Sequence, residues 1–244
     1  MLKKTDSSKK VGNSHISILY PGLDLSENDT GYYSIGRIDH ANISSGSVIK
    51  MHPHVNDDIL SYFRKGKVKH TDSEGFEEFI TPGRLMLMKA GKIFHHEEAV
   101  HESVEGLQIF IRPQEKDTDP EVIFDELNEI HSNNDWRLIA SPDKNKTKLQ
   151  LSSDTWIYDT KITVGNTMQL PENPQPYFGY LLYVYQGTIV INEKVSLTKG
   201  ESVFISDENI KFTTETEAEL VLFATNTQSP YYDGGMYSGN KIQK

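Results

Sequence analysis

The amino-acid sequence predicts an all-β fold of two β-barrels joined by a short helical linker. Short runs with strand character alternate with glycine- and proline-containing turns in both halves of the chain, which is typical of a β-sandwich or barrel. A weak internal repeat supports two such units. In the first half, residues 66–68 lead through a turn to a strand at 82–87, and in the second half residues 187–189 lead in the same way to 199–204. A repeat with the period of a whole domain indicates two barrels of similar build.

The N-terminal half contains the first series of strands. Lys65, Gly66 and Lys67 predict a hairpin turn, and residues 72–75 and 82–83 predict two further turns. We assign this series to a first domain over residues 1–118. Its predicted strands are 32–38, 47–51, 59–63, 68–70, 79–80, 85–88 and 107–111.

The character of the chain changes after Pro113, where polar and charged residues follow. Asp119 and Pro120 suit the cap and the first position of a helix. Apolar residues at positions 122, 123, 127 and 130 fall at roughly helical spacing. We therefore expect a helical linker over 119–135 and a second domain over 136–244. The tail over 228–244, rich in Gly, Ser and Tyr, is expected to be loosely ordered.

Charge and composition limit the partners of the chain. The formal net charge is -10 over 244 residues, so direct binding to nucleic acid is not expected, because an acidic surface repels phosphate backbones. No apolar run is long enough to span a bilayer, which argues against a membrane partner. The chain has no cysteine, which fits a reducing, cytoplasmic location and excludes thiol catalysis.

Histidine and acidic residues form two short patterns that indicate a metal site. His52 and His54 are two residues apart, and so are His96 and Glu98. Residues i and i+2 of a β-strand point to the same face. Two neighbouring strands could therefore place three imidazole nitrogens and one carboxylate oxygen around one divalent transition metal. His-x-His is a weak signal by itself, because histidines also cluster by chance.

The context of these residues resembles the cupin superfamily and, more closely, the pirin family. Gly46, the two histidines, Asp58 and Gly66 follow the order of the first cupin motif, and Pro82-Gly83, 88–91 and 106–109 resemble later pirin segments. The sequence departs from the family at two positions. Val55 stands where the family often has Arg, and Asp58 where it has Glu. The resemblance implies a bicupin, with two cupin-type β-barrels.

The resemblance also implies the ligands and their register. In pirins the positions that match His52, His54, His96 and Glu98 bind iron or another divalent metal. Strand alternation by itself allows either His96 with Glu98 or His95 with Glu97. Counting from Ala90 along the family pattern selects His96 and Glu98. All nine histidines lie at or before residue 131, so the second barrel is expected to lack a metal site.

Two functions are consistent with this resemblance. The first is a metal-dependent dioxygenase acting on quercetin or a related enolisable aromatic, with the small molecule and dioxygen as partners. The alternative is a non-enzymatic metal- or redox-sensing protein with a protein partner. Fe(II) is the metal expected first, with Ni, Cu, Mn, Co and Zn also suited to the ligands. Asp58 is either an acceptor for the free N–H of a ligand imidazole or a solvated acid. The sequence assigns no catalytic side chain.

Overall fold

The computed structural model of the chain describes residues 1–172 and 177–240. Its regular secondary structure is almost entirely β-strand, and the predicted all-β class is confirmed. Within the described residues the helical elements are two short 3-10 helices, Ser7–Lys9 and Pro21–Asp24. None of the described helices is long and apolar enough to cross a membrane.

The strands are numbered in chain order. The first ten are β1 (Leu2–Lys4), β2 (Val11–Gly12), β3 (Ile16–Leu19), β4 (Ile35–Ile43), β5 (Val48–His54), β6 (Asp58–Asp72), β7 (Glu77–Ile80), β8 (Arg84–Lys89), β9 (Phe94–Ile111) and β10 (Glu121–Glu126). The others are β11 (Arg137–Ser141), β12 (Leu149–Gln150), β13 (Thr155–Ile162), β14 (Thr167–Met168), β15 (Phe178–Gln186), β16 (Thr188–Ile191), β17 (Val195–Thr198), β18 (Ser202–Ile205), β19 (Phe212–Thr213) and β20 (Ala218–Asn226).

The predicted helical linker over 119–135 is wrong. Its central part is strand β10, which pairs antiparallel with β8 from Glu121 opposite Lys89 to Glu126 opposite Arg84. Val122 and Phe124, two residues apart, both pack against the buried apolar cluster of the surrounding unit. A spacing of two is strand periodicity, and tertiary packing of this kind overrides a weak local preference for helix.

The chain folds into two compact units whose boundaries differ from the predicted domains. The N-terminal unit comprises 8–130, 148–153 and 230–240, and the C-terminal unit comprises 1–7, 131–147, 154–172 and 177–229. The first residues belong to the C-terminal unit because β1 pairs with β18. The described end of the tail belongs to the N-terminal unit. Long-range pairing of this kind cannot be read from local sequence patterns.

The N-terminal unit is organised around its two longest strands, β6 and β9. The strand order is β10-β8-β6-β9-β4-β3-β2, with β5 also paired to β9 and β7 to β6. The ladder between β6 and β9 shifts register three times between Phe63 and Val68, which lets both strands bend. Beyond this bend β9 exchanges β4 for β5 as its other neighbour. The apolar core beside it includes Ile59, Met88 and Phe110.

The C-terminal unit has a larger and a smaller sheet. Strands β1, β18, β15, β20, β13 and β11 are neighbours in that order, and β14, β19, β16 and β17 form a separate sheet. Its buried core is rich in branched aliphatic and aromatic side chains, among them Trp156, Leu182, Val203 and Phe212. The repeat segments predicted at 187–189 and 199–204 correspond to β16 and β18 of this unit.

The C-terminal tail is anchored, so the expectation of a loosely ordered tail is wrong for residues 230–240. The backbone N–H groups of Tyr237 and Ser238 donate to the two carboxylate oxygens of buried Asp57, at 2.9 and 3.1 Å. The carbonyl oxygen of Ser238 accepts from Nε of Arg112 at 2.8 Å. Arg112 is fully buried and also forms an ion pair with Asp29, at 2.6 Å. These polar contacts hold the tail beside the loop that follows β5.

Candidate metal centre

Strand β5 aims His52 and His54 to one side of the N-terminal unit. Ile49 lies opposite Glu98 and His52 opposite His96, so β5 has one more residue than β9 in this interval. This bulge shifts the alternation and turns His52 inward. Pro53 has no backbone N–H to donate to a neighbouring strand. Strand β5 tolerates this proline because it is an edge strand, paired with β9 on one side.

Strand β9 carries the second pair of candidate ligands, in the register expected from the family pattern. His96 and Glu98 are 1% and 3% exposed, whereas His95 and Glu97 on the opposite face are half-buried. The alternation follows from the pleat of the strand, which turns successive side chains to opposite faces. The inward face of this part of β9 therefore presents one imidazole and one carboxylate.

The three inward imidazoles converge, so that one nitrogen of each lies close to the other two. His52, His54 and His96 each offer a nitrogen, and these nitrogens lie within 4.8 Å of one another. The Nε2 atoms of His52 and His54 are 3.2 Å apart. Ligands at metal–nitrogen distances of about 2.1 Å and right angles would be separated by about 3 Å. The observed spacing therefore fits neighbouring ligands of one ion.

The hydrogen bonding of the imidazoles leaves nitrogen lone pairs for a metal. Nδ1 of His52 lies 2.8 Å from the carbonyl oxygen of Lys50, to which it donates, so that Nε2 of His52 keeps its lone pair. Nε2 of His96 is buried and has no hydrogen-bond partner among the described residues. A buried polar atom without a partner is costly, and coordination to a cation would satisfy it.

Burial also keeps the imidazoles neutral. It lowers the pKa of His54 to about 3, with further contributions from His52 and Arg37. It lowers the pKa of His96 to about 2, with further contributions from His54, His52 and His70. Only a neutral imidazole can bind a metal, because the lone pair must be free. The cluster therefore has the protonation state of a metal centre at neutral pH.

Glu98 lies beside the three imidazoles rather than within their close cluster. Nε2 of Gln108 donates to both of its carboxylate oxygens, at 3.1 and 3.0 Å. Burial raises the pKa of Glu98 to about 7, and the hydrogen bond from Gln108 opposes this shift. Glu98 and His52 line the same cavity, whose volume is about 90 Å³. Most of the other lining side chains are apolar, including those of Ile43 and Val100.

Asp58 does not contact a ligand imidazole. Its two carboxylate oxygens accept from the backbone N–H and the hydroxyl of Ser152, at 2.7 and 3.2 Å. Asp58 begins β6, and its neighbour Ile59 packs into the core that includes Phe110, so Asp58 points to the opposite face. Both readings made from the sequence are therefore wrong, since the side chain is 2% exposed and serves a structural contact.

Sequence reasoning missed two side chains that contact the imidazoles. His70 on β6 has its Nδ1 atom 3.3 Å from Nδ1 of His96. The ring of Tyr237 lies 4.9 Å from that of His54 and 5.7 Å from that of Phe110. The register between β6 and β9 would have revealed His70, because it is paired with Glu98. No sequence signal links Tyr237, far along the chain, to the site.

Two family models match the chain, one in each half. The model named Pirin matches residues 8–111, which contain all four candidate ligands. The model described as the quercetinase C-terminal cupin domain matches residues 138–224. The chain belongs to the pirin family. The resemblance noted in the sequence is thereby confirmed, and the C-terminal unit corresponds to the second cupin domain of pirins.

Curated relatives carry the name of one enzyme. The chain is 26% identical over 202 residues to the quercetin 2,3-dioxygenase of Escherichia coli O157:H7, covering 80% of this chain and 84% of the relative. It is 27% identical over 182 residues to a putative quercetin 2,3-dioxygenase of Zymomonas mobilis, covering 73% and 76% of the two chains. Both matches extend over most of each protein.

Solved pirin structures share the fold. The structure of the Escherichia coli pirin YhhW in complex with nickel(II) has a TM-score of 0.78 at 21% identity, and the match covers 93% of this chain and 99% of that one. The bicupin fold of pirins is therefore also the fold of this chain. Together with the cluster of three imidazoles, the family identifies the chain as a cupin that binds a divalent metal.

Proposed function

We propose that His52, His54 and His96 are metal ligands and that Glu98 is the fourth. The three converging imidazoles carry this proposal, because one nitrogen of each lies within 4.8 Å of the other two, and one ion could reach all three. Glu98 shares the inward face of β9 with His96 and the cavity wall with His52. A carboxylate that leaves Gln108 for the ion would exchange two hydrogen bonds for a metal bond and offset the cost of its burial.

The role of Glu98 can be tested against its outward neighbour. Glu98→Gln removes the charge but keeps the size of the side chain, and Glu97→Gln makes the same change on the other face of β9. We expect metal affinity to fall at least tenfold for Glu98→Gln and to remain within twofold for Glu97→Gln. Competition with a chelator of known affinity measures both. Equal affinities would remove Glu98 from the ligand set.

We further propose that the centre holds Fe(II) and that the protein is a dioxygenase acting on quercetin or a related enolisable aromatic. Three neutral imidazoles and one carboxylate suit several divalent metals, and the names of the relatives favour dioxygen chemistry. When bound, the metal would lower the pKa of an enolic hydroxyl and, as iron, pass electrons from the substrate to dioxygen. The apolar side chains of the cavity would exclude water from the reacting ring.

The size of the cavity limits how much of the substrate is enclosed. Its volume is about 90 Å³, whereas pockets for drug-sized ligands occupy about 300 Å³ or more. The cavity therefore accommodates one ring of a flavonol and leaves the remainder outside. Smaller enolisable aromatics should consequently compete with quercetin, and a series of one-ring and three-ring compounds tests this expectation by their KM values.

The activity is tested with metal-free protein loaded anaerobically with Fe(II) and then mixed with quercetin and air. We expect oxygen uptake together with loss of the flavonol, both absent in His52→Ala and retained in His95→Ala, whose side chain lies on the other face of β9. Parallel samples loaded with Ni, Cu, Mn, Co and Zn identify the active metal, and elemental analysis of the purified protein identifies the resident one. Oxygen uptake no greater than in His52→Ala with every metal would refute the dioxygenase proposal.

The second candidate is a metal- or redox-sensing protein that binds another protein. The small cavity favours it, because a sensor needs an ion but no room for a substrate. The net charge of -10 suits a protein partner with a basic surface better than nucleic acid. Pull-downs with the ferrous and ferric forms discriminate the two functions, and identical partners in both states would refute a redox switch.

A further inference from the structure

A fourth histidine, His70 of β6, lies directly behind His96. Its side chain is fully buried, and its Nδ1 atom is 3.3 Å from Nδ1 of His96. The ring stacks parallel to that of Phe94 at 6.5 Å and meets the edge of Phe124 at 6.4 Å. These two aromatic side chains hold the imidazole plane, so that its two nitrogens point in fixed directions.

The second nitrogen of His70 faces a fixed carboxylate. Nε2 of His70 is 3.7 Å from Oδ2 of Asp72, which is within the range of an ion pair but too long for a hydrogen bond, and this buried nitrogen has no hydrogen-bond partner among the described residues. The other oxygen of Asp72, Oδ1, accepts from the backbone N–H groups of Glu74 and Phe76, at 2.9 and 3.0 Å. The turn after β6 therefore holds the carboxylate in place, with one oxygen left for His70.

This arrangement determines where the protons lie. The negative carboxylate of Asp72 attracts an N–H group and repels a nitrogen lone pair across 3.7 Å, so the proton of neutral His70 is favoured on Nε2, where it faces Asp72. Nδ1 of His70 is then an acceptor, and the short contact with His96 requires His96 to donate from Nδ1. The lone pair of His96 is consequently on Nε2, the buried atom without a hydrogen-bond partner among the described residues.

We propose that Asp72 and His70 are positioning residues that fix the tautomer of His96, so that Nε2 of His96 is the atom presented to the metal. Neither residue touches the ion. This inference rests on the proposed role of His96 as a ligand, and it extends that role to two side chains outside the ligand set. A ligand imidazole held in the wrong tautomer would carry a proton on the atom that must bind.

The tautomers can be measured in the metal-free wild-type protein. Long-range proton–nitrogen NMR correlations of histidines labelled with nitrogen-15 distinguish protonated Nδ1 from protonated Nε2, and the spectrum of His96→Ala assigns the His96 signals. At pH 8 we expect protonated Nε2 for His70 and protonated Nδ1 for His96. The opposite tautomer at His96 would overturn the proposal, and this measurement needs no variant that perturbs Asp72.

Asp72→Asn tests the consequence for metal binding. The amide oxygen can still accept from the two N–H groups of the turn, but an NH₂ group then faces Nε2 of His70. We expect both tautomers to reverse and affinity for Zn²⁺ to fall 10- to 100-fold, with the melting temperature of the metal-free protein within a few degrees of wild type. Glu74→Gln, an exposed change in the same turn, is the control.

Two outcomes separate this proposal from the one on which it rests. If His96→Ala binds Zn²⁺ as tightly as wild type, His96 is not a ligand and the metal centre itself is wrongly assigned. If His96→Ala loses Zn²⁺ while Asp72→Asn binds it within twofold of wild type, the centre is retained and the positioning role of Asp72 and His70 is refuted. If Asp72→Asn does not fold, the tautomers of His70 and His96 measured in the wild-type protein test the proposal instead.

Discussion

Replacing Asp58 by asparagine should change how the stability of the protein depends on pH. Burial raises the pKa of Asp58 from 3.8 to about 6, and the hydrogen bonds from Ser152 oppose this shift. The folded protein therefore holds the proton of Asp58 more tightly than the unfolded chain does. Below pH about 4 both states are protonated, and as the pH rises through about 6 the free energy of unfolding falls.

The expected change in the free energy of unfolding follows from the shift in the pKa of Asp58. A difference of roughly 2 pKa units at about 1.4 kcal/mol each corresponds to a loss of about 3 kcal/mol between pH 4 and pH 7. Asp58→Asn cannot ionise, and its amide can accept from the N–H of Ser152 while donating to the hydroxyl. We therefore expect the variant to become more stable than wild type as the pH rises.

The assay is urea unfolding of wild type and Asp58→Asn at several pH values from 4.5 to 8. Both proteins are metal-free, so that metal binding does not contribute to stability. All other ionisable groups are common to both proteins, so the difference between the two curves isolates Asp58. Metal affinity of the variant should equal that of wild type, because Asp58 contacts Ser152 and not an imidazole. A difference in unfolding free energy that is constant with pH, or that grows toward low pH in favour of the variant, would refute the reasoning.

Three further predictions concern ligand register, a buried ion pair and the tail. His96→Ala should abolish binding of Zn²⁺ measured by calorimetry, while His95→Ala binds within twofold of wild type; the reverse result would shift the register by one residue. Arg112→Met should lower the free energy of unfolding in urea by about 3 kcal/mol, because it removes a fully buried guanidinium that pairs with the partly exposed Asp29 and bonds to the tail, and an unchanged midpoint would contradict this. Asp57→Ala should cost about 3 kcal/mol in the same assay and expose the tail to proteolysis after residue 229, since three tail donors lose their acceptor; a tail that stays resistant would contradict the anchor.

The strand spacing of the candidate ligands could be read from the sequence, because it is a local property. In an extended chain His52 and His54 share a face, and so do His96 and Glu98, whatever the rest of the fold does. Glycine and proline turns between short apolar runs likewise predicted the all-β class. The choice of His96 over His95 needed one more piece of information, which was the family pattern.

Local patterns failed where a distant partner decides the conformation. The apolar residues after Asp119 and Pro120 fall at roughly helical spacing, but residues 121–126 form a strand because they pair with β8. Asp58 looked like a neighbour of the histidines and instead reaches Ser152, which is 94 residues away in sequence. Neither contact has a signature within a short window of sequence.

The sequence by itself therefore determined the fold class, the two series of strands and the side chains able to bind a metal, since each depends on the period of a single strand. Only the tertiary structure decided what surrounds those side chains. The pairing of β6 with β9 places His70 behind His96, and the tail places Tyr237 on His54. These contacts depend on the register between strands and on segments far apart in the sequence coming together. The spacing of residues within a single strand contains no information about either.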